Sequence, residues 1–423
     1  MGDSITNIAS GYRLGLVIIG IGITLPAFMV GAQIASSLPT FEAAGAIALG
    51  GVILMLLAMA ISVIGVSRKF TTYQITAEVF GRKGSLVVAA IIGTSLVGWF
   101  AVTAAMFGDA SAAALREIAG VDTPVQVHIA AGGVLMILTT VGGFSAIDRL
   151  SSIAVPLLLV LMVVTAGLAL AQAPETGVQS QFPGSLTFGN AVSIVVGSFA
   201  VGATLVADYT RFARSRRDGM VAAGIGYGIG FPLILLLAAI PAILFRENNL
   251  VTIMFMLGMG MPAFLVIALA TWTTNTANLY SSSLAYTSLN QRWRRPLVAV
   301  ITGVLGTGLA MMGIMEYFTG FLIILSTVIP PVAGIIIADF YIVRRGLAVV
   351  TNVAETAAFR PLAIIAWLAG IAIAMAGSYL GWFHISGIPA LDGILTSAAV
   401  FVGVAAFKNT LPGIKHTRAN DRH

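Results

Sequence analysis

Along most of the chain, apolar residues neither alternate nor keep to one helical face. They run on for stretches of roughly 20 residues, the length a helix needs to cross a bilayer core, with short polar segments between them. We predict about twelve transmembrane helices, near 14–36, 43–66, 86–108, 126–144, 149–171, 188–207, 219–245, 255–285, 297–314, 317–341, 362–382 and 388–407. The pattern leaves no room for a separate soluble domain, and the chain reads as an all-α integral membrane protein.

Composition agrees with that pattern. Of the 423 residues, 58% are hydrophobic and 9% charged, against about 25% charged in a soluble domain. Placing the N-terminus in the cytoplasm puts 20 of the 22 Lys and Arg residues on the cytoplasmic side and leaves only Arg116 and Arg246 outside. A miscounted span would invert the pattern downstream of the error, so the positive-inside rule supports both twelve spans and cytoplasmic termini. The same distribution explains the net charge of +6 as membrane orientation, with no nucleic-acid partner. The expected location is a bacterial cytoplasmic membrane, with the lipid bilayer as the surrounding partner. The N-terminus lacks the basic region and cleavage site of a signal peptide, so the first span is expected to be retained. Cysteine is absent, which removes thiol chemistry and disulfides.

Two spans look interrupted. The first holds Gly20, Gly22 and Pro26 in "GIGITLPAFMVGAQ", and the sixth holds Gly197 and Gly202 around Ser198 and Phe199. Proline removes an N–H and clashes with the preceding turn. Spans one and six open two five-span halves, about 14–171 and 188–341, and an odd span number makes the halves inverted. Paired interruptions of this kind point to a transport site near the midplane. A third interruption, Pro330–Pro331 in the tenth span, reads equally as a gate or as a structural kink.

The eighth span carries "TWTTNTANLYSSS" at 271–283, rich in neutral polar groups. Ala270, Thr273 and Thr274 stand at i, i+3 and i+4 on one helical face. Their two hydroxyls and the Ala270 carbonyl, with a carbonyl near Gly22 from the broken first helix, suggest a small-cation site. Any single membrane Thr more often bonds back to its own helix; the pair facing a break favours the cation. Asn278 and Ser281 to Ser283 are left to helix packing. No ionisable residue lies in a span core, which disfavours a proton relay and favours a neutral substrate coupled to sodium. Trp99, midway along the third span, and Phe199 could sandwich a flat ring, with Ser198 and Asn275 reading its edge.

Five stretches in register carry a resemblance: "VGWF" at 97–100, "VVGSF" at 195–199, "ATLVADYTRFAR" at 203–214, "WTTN" at 272–275 and "IPPVAGIIIADF" at 329–340. The chain resembles the nucleobase–cation symporter-1 (purine-cytosine permease) family, and most closely its bacterial cytosine permeases. The resemblance implies a LeuT-type 5+5 inverted repeat with helices 1 and 6 broken, in a core spanning 1–345. Two further helices and a cytoplasmic tail would occupy 346–423. It implies nucleobase uptake coupled to sodium by alternating access, with no cofactor. It assigns substrate binding to Trp99, Ser198, Phe199 and Asn275, and sodium binding to Gly22, Ala270, Thr273 and Thr274. Two positions depart from the family's cytosine permeases: Leu96 replaces a Gln and Val201 a Ser, removing polar groups from the expected base edge. Another pyrimidine, a purine or a related heterocycle therefore stays open.

Two other classes were weighed. An enzyme has little to work with: the four histidines, His128, His384, His416 and His423, fall in loops or the tail. A proton-coupled permease for hydroxymethylpyrimidine, allantoin or a hydantoin-like ring is the alternative reading, followed by a channel.

Overall fold

A computed structural model describes residues 9–142, 144–172, 186–247, 250–290, 292–344, 357–381 and 385–410. Arg345, Lys415, Arg418, Arg422, His384, His416, His423 and the boundary at 345–346 lie outside the described residues, as do the side chains of Arg149 and Lys408. Each predicted span falls on a helix or a helix pair. In chain order these are α1 (Gly11–Gly22) and α2 (Leu25–Ser37), α3 (Thr40–Arg68), the short α4 (Thr72–Phe80), α5 (Arg82–Ala119), α6 (Val125–Gly142) and α7 (Phe144–Ala171). The second half holds α8 (Phe188–Thr204), the short α9 (Ala207–Thr210), α10 (Arg216–Phe245), α11 (Leu250–Met256), α12 (Gly260–Leu289), α13 (Arg295–Met311) and α14 (Ile314–Val343). Last come α15 (Pro361–Leu380) and α16 (Pro389–Thr410). Among the described residues, eight helices are long and apolar enough to cross a membrane, and the bent α1–α2 pair makes a ninth.

Short polar signals set the boundaries. Thr71 and Gln74 form a reciprocal capping box that starts α4, satisfying two otherwise orphaned N–H groups. Gly81 and Gly120, both at positive φ, bracket the 38-residue α5. The most extensive helix pairing joins α5 to α12.

Pro330 and Pro331 interrupt α14, and the interruption is satisfied from outside. Val332 N–H turns to the Ile329 carbonyl at 3.1 Å, so the Val328 carbonyl loses its helical donor. Trp367 Nε1 on α15 donates to it at 2.8 Å, and Ser397 on α16 donates to the Pro331 carbonyl at 3.0 Å. The two C-terminal helices therefore buttress α14 at its weakest point.

The end bearing the basic loops is tied by charge. Arg344 reaches Asp339 at 2.8 Å, the Glu78 carboxylate at 3.5 Å and the Glu78 carbonyl at 2.8 Å. Arg68 stands 3.6 Å from Glu78 on its other side. Burial raises the Glu78 carboxyl above its ordinary range, against the pull of Arg344 and Arg68. Asp208 accepts from Thr72 N–H, and Asp218 accepts from Gly11 N–H, each at 2.8 Å. Thus α3, α4, α9, α10 and α14 converge on polar contacts at this end.

Candidate functional site

The site begins at the break in the first span. α1 ends at Gly22, where Ile23 N–H closes on the Ile19 carbonyl. Thr24 is extended (φ −139°, ψ 155°) and its hydroxyl accepts from Ala27 N–H, starting α2 at an angle of 74° to α1. Pro26 stands four residues after Gly22 and has no N–H, so the Gly22 carbonyl has no helical donor at that position. A Cβ on Gly22 would lie 1.7 Å from the Phe231 ring of α10; only glycine fits there.

The sixth span corrects an expectation. α8 runs as regular α-helix from Phe188 to Thr204, straight through Gly197, Ser198 and Gly202. Its interruption comes at Leu205 and Val206, before α9. The reason is packing. A Cβ on Gly197 would lie 2.5 Å from the Leu322 carbonyl, so this glycine admits the α14 backbone and leaves α8 wound. Ser198 donates to the Val195 carbonyl at 2.7 Å, a bond within the helix.

The two expected ring platforms are braced separately. Phe199 is stacked on Phe231, with ring centroids 4.0 Å apart and planes at 17°. Trp99 meets Phe321 edge-on at 5.2 Å and Phe318 at 6.3 Å. No ring contact joins Trp99 to Phe199 among the described residues, and both are only partly buried.

On α12 the polar residues divide. Thr273 donates to the Ala270 carbonyl at 2.8 Å, leaving its oxygen lone pairs available. Thr274 is partly exposed and makes no hydrogen bond among the described residues. Asn275 is fully buried, and its amide donates to the Phe100 carbonyl at 3.1 Å beside Met136 Sδ at 3.0 Å. That turns Asn275 into the α5–α6 packing and away from the face of Ala270 and Thr274. The residue that shares this face is Asn278, at i+8 and i+4. Asn278, expected to serve helix packing, shares the Thr274 face through its four-residue spacing.

Exposure along α12 changes character with depth. Near one end the exposed residues are apolar, with Met261 at 42% and Leu265 at 58%. Toward the basic-loop end they are mixed: Ala277, Ser281, Leu284 and Ser288 are exposed, and Thr274 and Asn278 partly so. Across from them, Thr94 of α5 is hydrogen-bonded to Tyr286 at 2.7 Å. A separate cavity of about 190 Å³, lined by Met29, Met106, Asp109 and Val251 among others, contains none of the predicted site residues.

Comparison with known proteins decides the family. Residues 12–395 match the family described as permeases for cytosine/purines, uracil, thiamine and allantoin. The chain belongs to this family. The cytosine permease of Escherichia coli K12 is 30% identical over 414 residues, covering 96% of this chain and 94% of that protein. A hydantoin permease of Microbacterium maritypicum is 25% identical over 372 residues, covering 79% and 73%. Among solved structures, the inward-facing conformation of Mhp1 matches with a TM-score of 0.83 at 19% identity, covering 96% and 93% of the chains. Mhp1, a nucleobase-cation-symport-1 family transporter, in a closed conformation with bromovinylhydantoin bound, matches at 0.77 and 19%, covering 96% and 94%. A Na+-coupled sialic acid symporter shares the fold at 0.65 and 13%, covering 95% and 90%. The permease is therefore a multi-pass membrane transporter of the LeuT-type fold, and not an enzyme.

Proposed function

We propose that this permease imports a neutral nucleobase or a closely related flat heterocycle, coupled to sodium by alternating access. The observation that carries the reading is the 74° break between α1 and α2. There a carbonyl without a helical donor, at Gly22, belongs to a break whose far arm, α2, packs against α12. The Ala270 carbonyl with Thr273 and Thr274 completes an oxygen set suited to a hard monovalent cation. Trp99 and Phe199, each held by other rings, would take the substrate ring between them, with Ser198 beside Phe199. Asn275 supports this arrangement through packing, and Asn278 takes its place as the amide on the Thr274 face. Placing the basic loops and both termini in the cytoplasm belongs to the same reading.

A second reading, a hydantoin-like substrate, is favoured by Leu96 and Val201. Both are nearly buried and apolar, where the cytosine permeases place polar side chains. A thermal-shift screen of nucleobases, hydantoins and allantoin, with and without sodium, tests both readings. Sodium-dependent stabilisation by one ring identifies substrate and ion together by linkage. Stabilisation by a ring that ignores sodium and responds to protonation would replace sodium with a proton.

A further inference from the structure

The geometry assigns to Tyr227 a substrate-contacting role: its hydroxyl donates to a ring carbonyl of the transported heterocycle while Ser198 accepts from the adjacent ring N–H. The assignment rests on the transport reading above and narrows its substrate to rings with a lactam edge, an N–H beside a C=O.

Tyr227 lies in the π-helical stretch Gly224–Gly230 of α10 and is 2% exposed. Its ring stands edge-on to Phe231 at 4.8 Å and 88°, and Phe231 is the ring stacked on Phe199. Tyr227 is thus fixed in relation to the proposed stacking platform. Its hydroxyl occupies the notch of Gly202, where a Cβ would lie 3.1 Å away. Gly202 follows Ser198 by four residues, so both face the same way, about 5–6 Å apart along α8. A six-membered heterocycle can bridge that distance with two edge groups.

Hydrogen bonding makes the argument directional. A buried tyrosine hydroxyl ordinarily finds a partner; this one makes no hydrogen bond among the described residues. Ser198 has already committed its proton to the Val195 carbonyl, so it offers the substrate lone pairs only. Tyr227 supplies the missing donor. Leu96 and Val201, both apolar, supply no competing polar group. A ring N–H next to a carbonyl satisfies both hydroxyls.

Tyr227→Phe removes one oxygen and keeps the ring. Binding of uracil, cytosine and hydantoin to wild type and variant should show about a fivefold loss. Stabilisation by sodium alone should be unchanged. Gly202→Ala pushes on the hydroxyl and should weaken the same rings in the wild type, yet add nothing in the Tyr227→Phe background. If the wild type binds these rings and Tyr227→Phe binds them equally well, the assignment to Tyr227 falls while the transport reading stands. If the wild type binds none of them, both fall.

Discussion

The first and sixth spans open the two repeats and carry similar glycine-rich punctuation, yet they bend differently. The first turns through 74° at Ile23 and Thr24. The sixth stays α-helical past Gly197 and Gly202 and yields only after Thr204. Proline accounts for the difference. Pro26 cancels a hydrogen bond whatever surrounds it, and Thr24 then caps the new helix. Glycine only removes bulk, and what lies against it decides the outcome: at Gly197 the α14 backbone fills the space and holds the helix. Here, therefore, Pro26 with its Thr24 cap makes a break, Pro241 leaves α10 continuous, and Gly197 makes a contact.

The comparison can be broken at its glycines. Gly22→Ala drives a methyl into the Phe231 ring and should cost about 3 kcal/mol, at the upper end for overpacking, seen as a lower Tm in detergent. Adding Phe231→Leu should recover much of the loss; no recovery would mean that the break itself rejects alanine. Gly197→Ala meets the Leu322 carbonyl and should cost about 2 kcal/mol without changing the sodium dependence of ligand binding. A change in sodium dependence would revive Gly197 as a hinge.

The proline offers a sharper, smaller test. Pro26→Ala restores an N–H that competes for the Gly22 carbonyl. It should weaken apparent sodium affinity about fivefold while moving stability little. Unaltered sodium affinity would remove the Gly22 carbonyl from the cation site.

The smallest effect lies at the charged end. Burial outweighs the pull of the two arginines at Glu78, so the folded carboxyl holds its proton more tightly than the unfolded one. A raised acid costs stability above its folded pKa, and that cost fades as pH falls toward its ordinary value of 4.5. Glu78→Gln should therefore gain stability relative to wild type as pH rises through this window, and the opposite slope would contradict the burial argument.

Much of this was readable along the chain. Each predicted apolar run falls on a helix or helix pair, and Pro26 marks the first break, because these signals depend on local chemistry alone. Trp99 and Phe199 were readable as partly buried aromatics within spans. Asn275 and Asn278 were not separable, since both are polar and three residues apart; only the position of Phe100 and Met136 shows which one is used in packing. The capping box of Thr71 and Gln74 was visible and passed over, since α4 is too short for a span. Tyr227 carried no signal beyond its glycine-rich setting, because its meaning depends on Gly202 of another helix.

The central claim is sodium-coupled movement of a flat heterocycle. Its most direct test is uptake of radiolabelled uracil, cytosine and hydantoin into proteoliposomes under an imposed sodium gradient, a proton gradient or neither. The account predicts accumulation of at least one ring under the sodium gradient, reduced about tenfold by Thr274→Ala. Accumulation driven by protons alone and indifferent to sodium would contradict it.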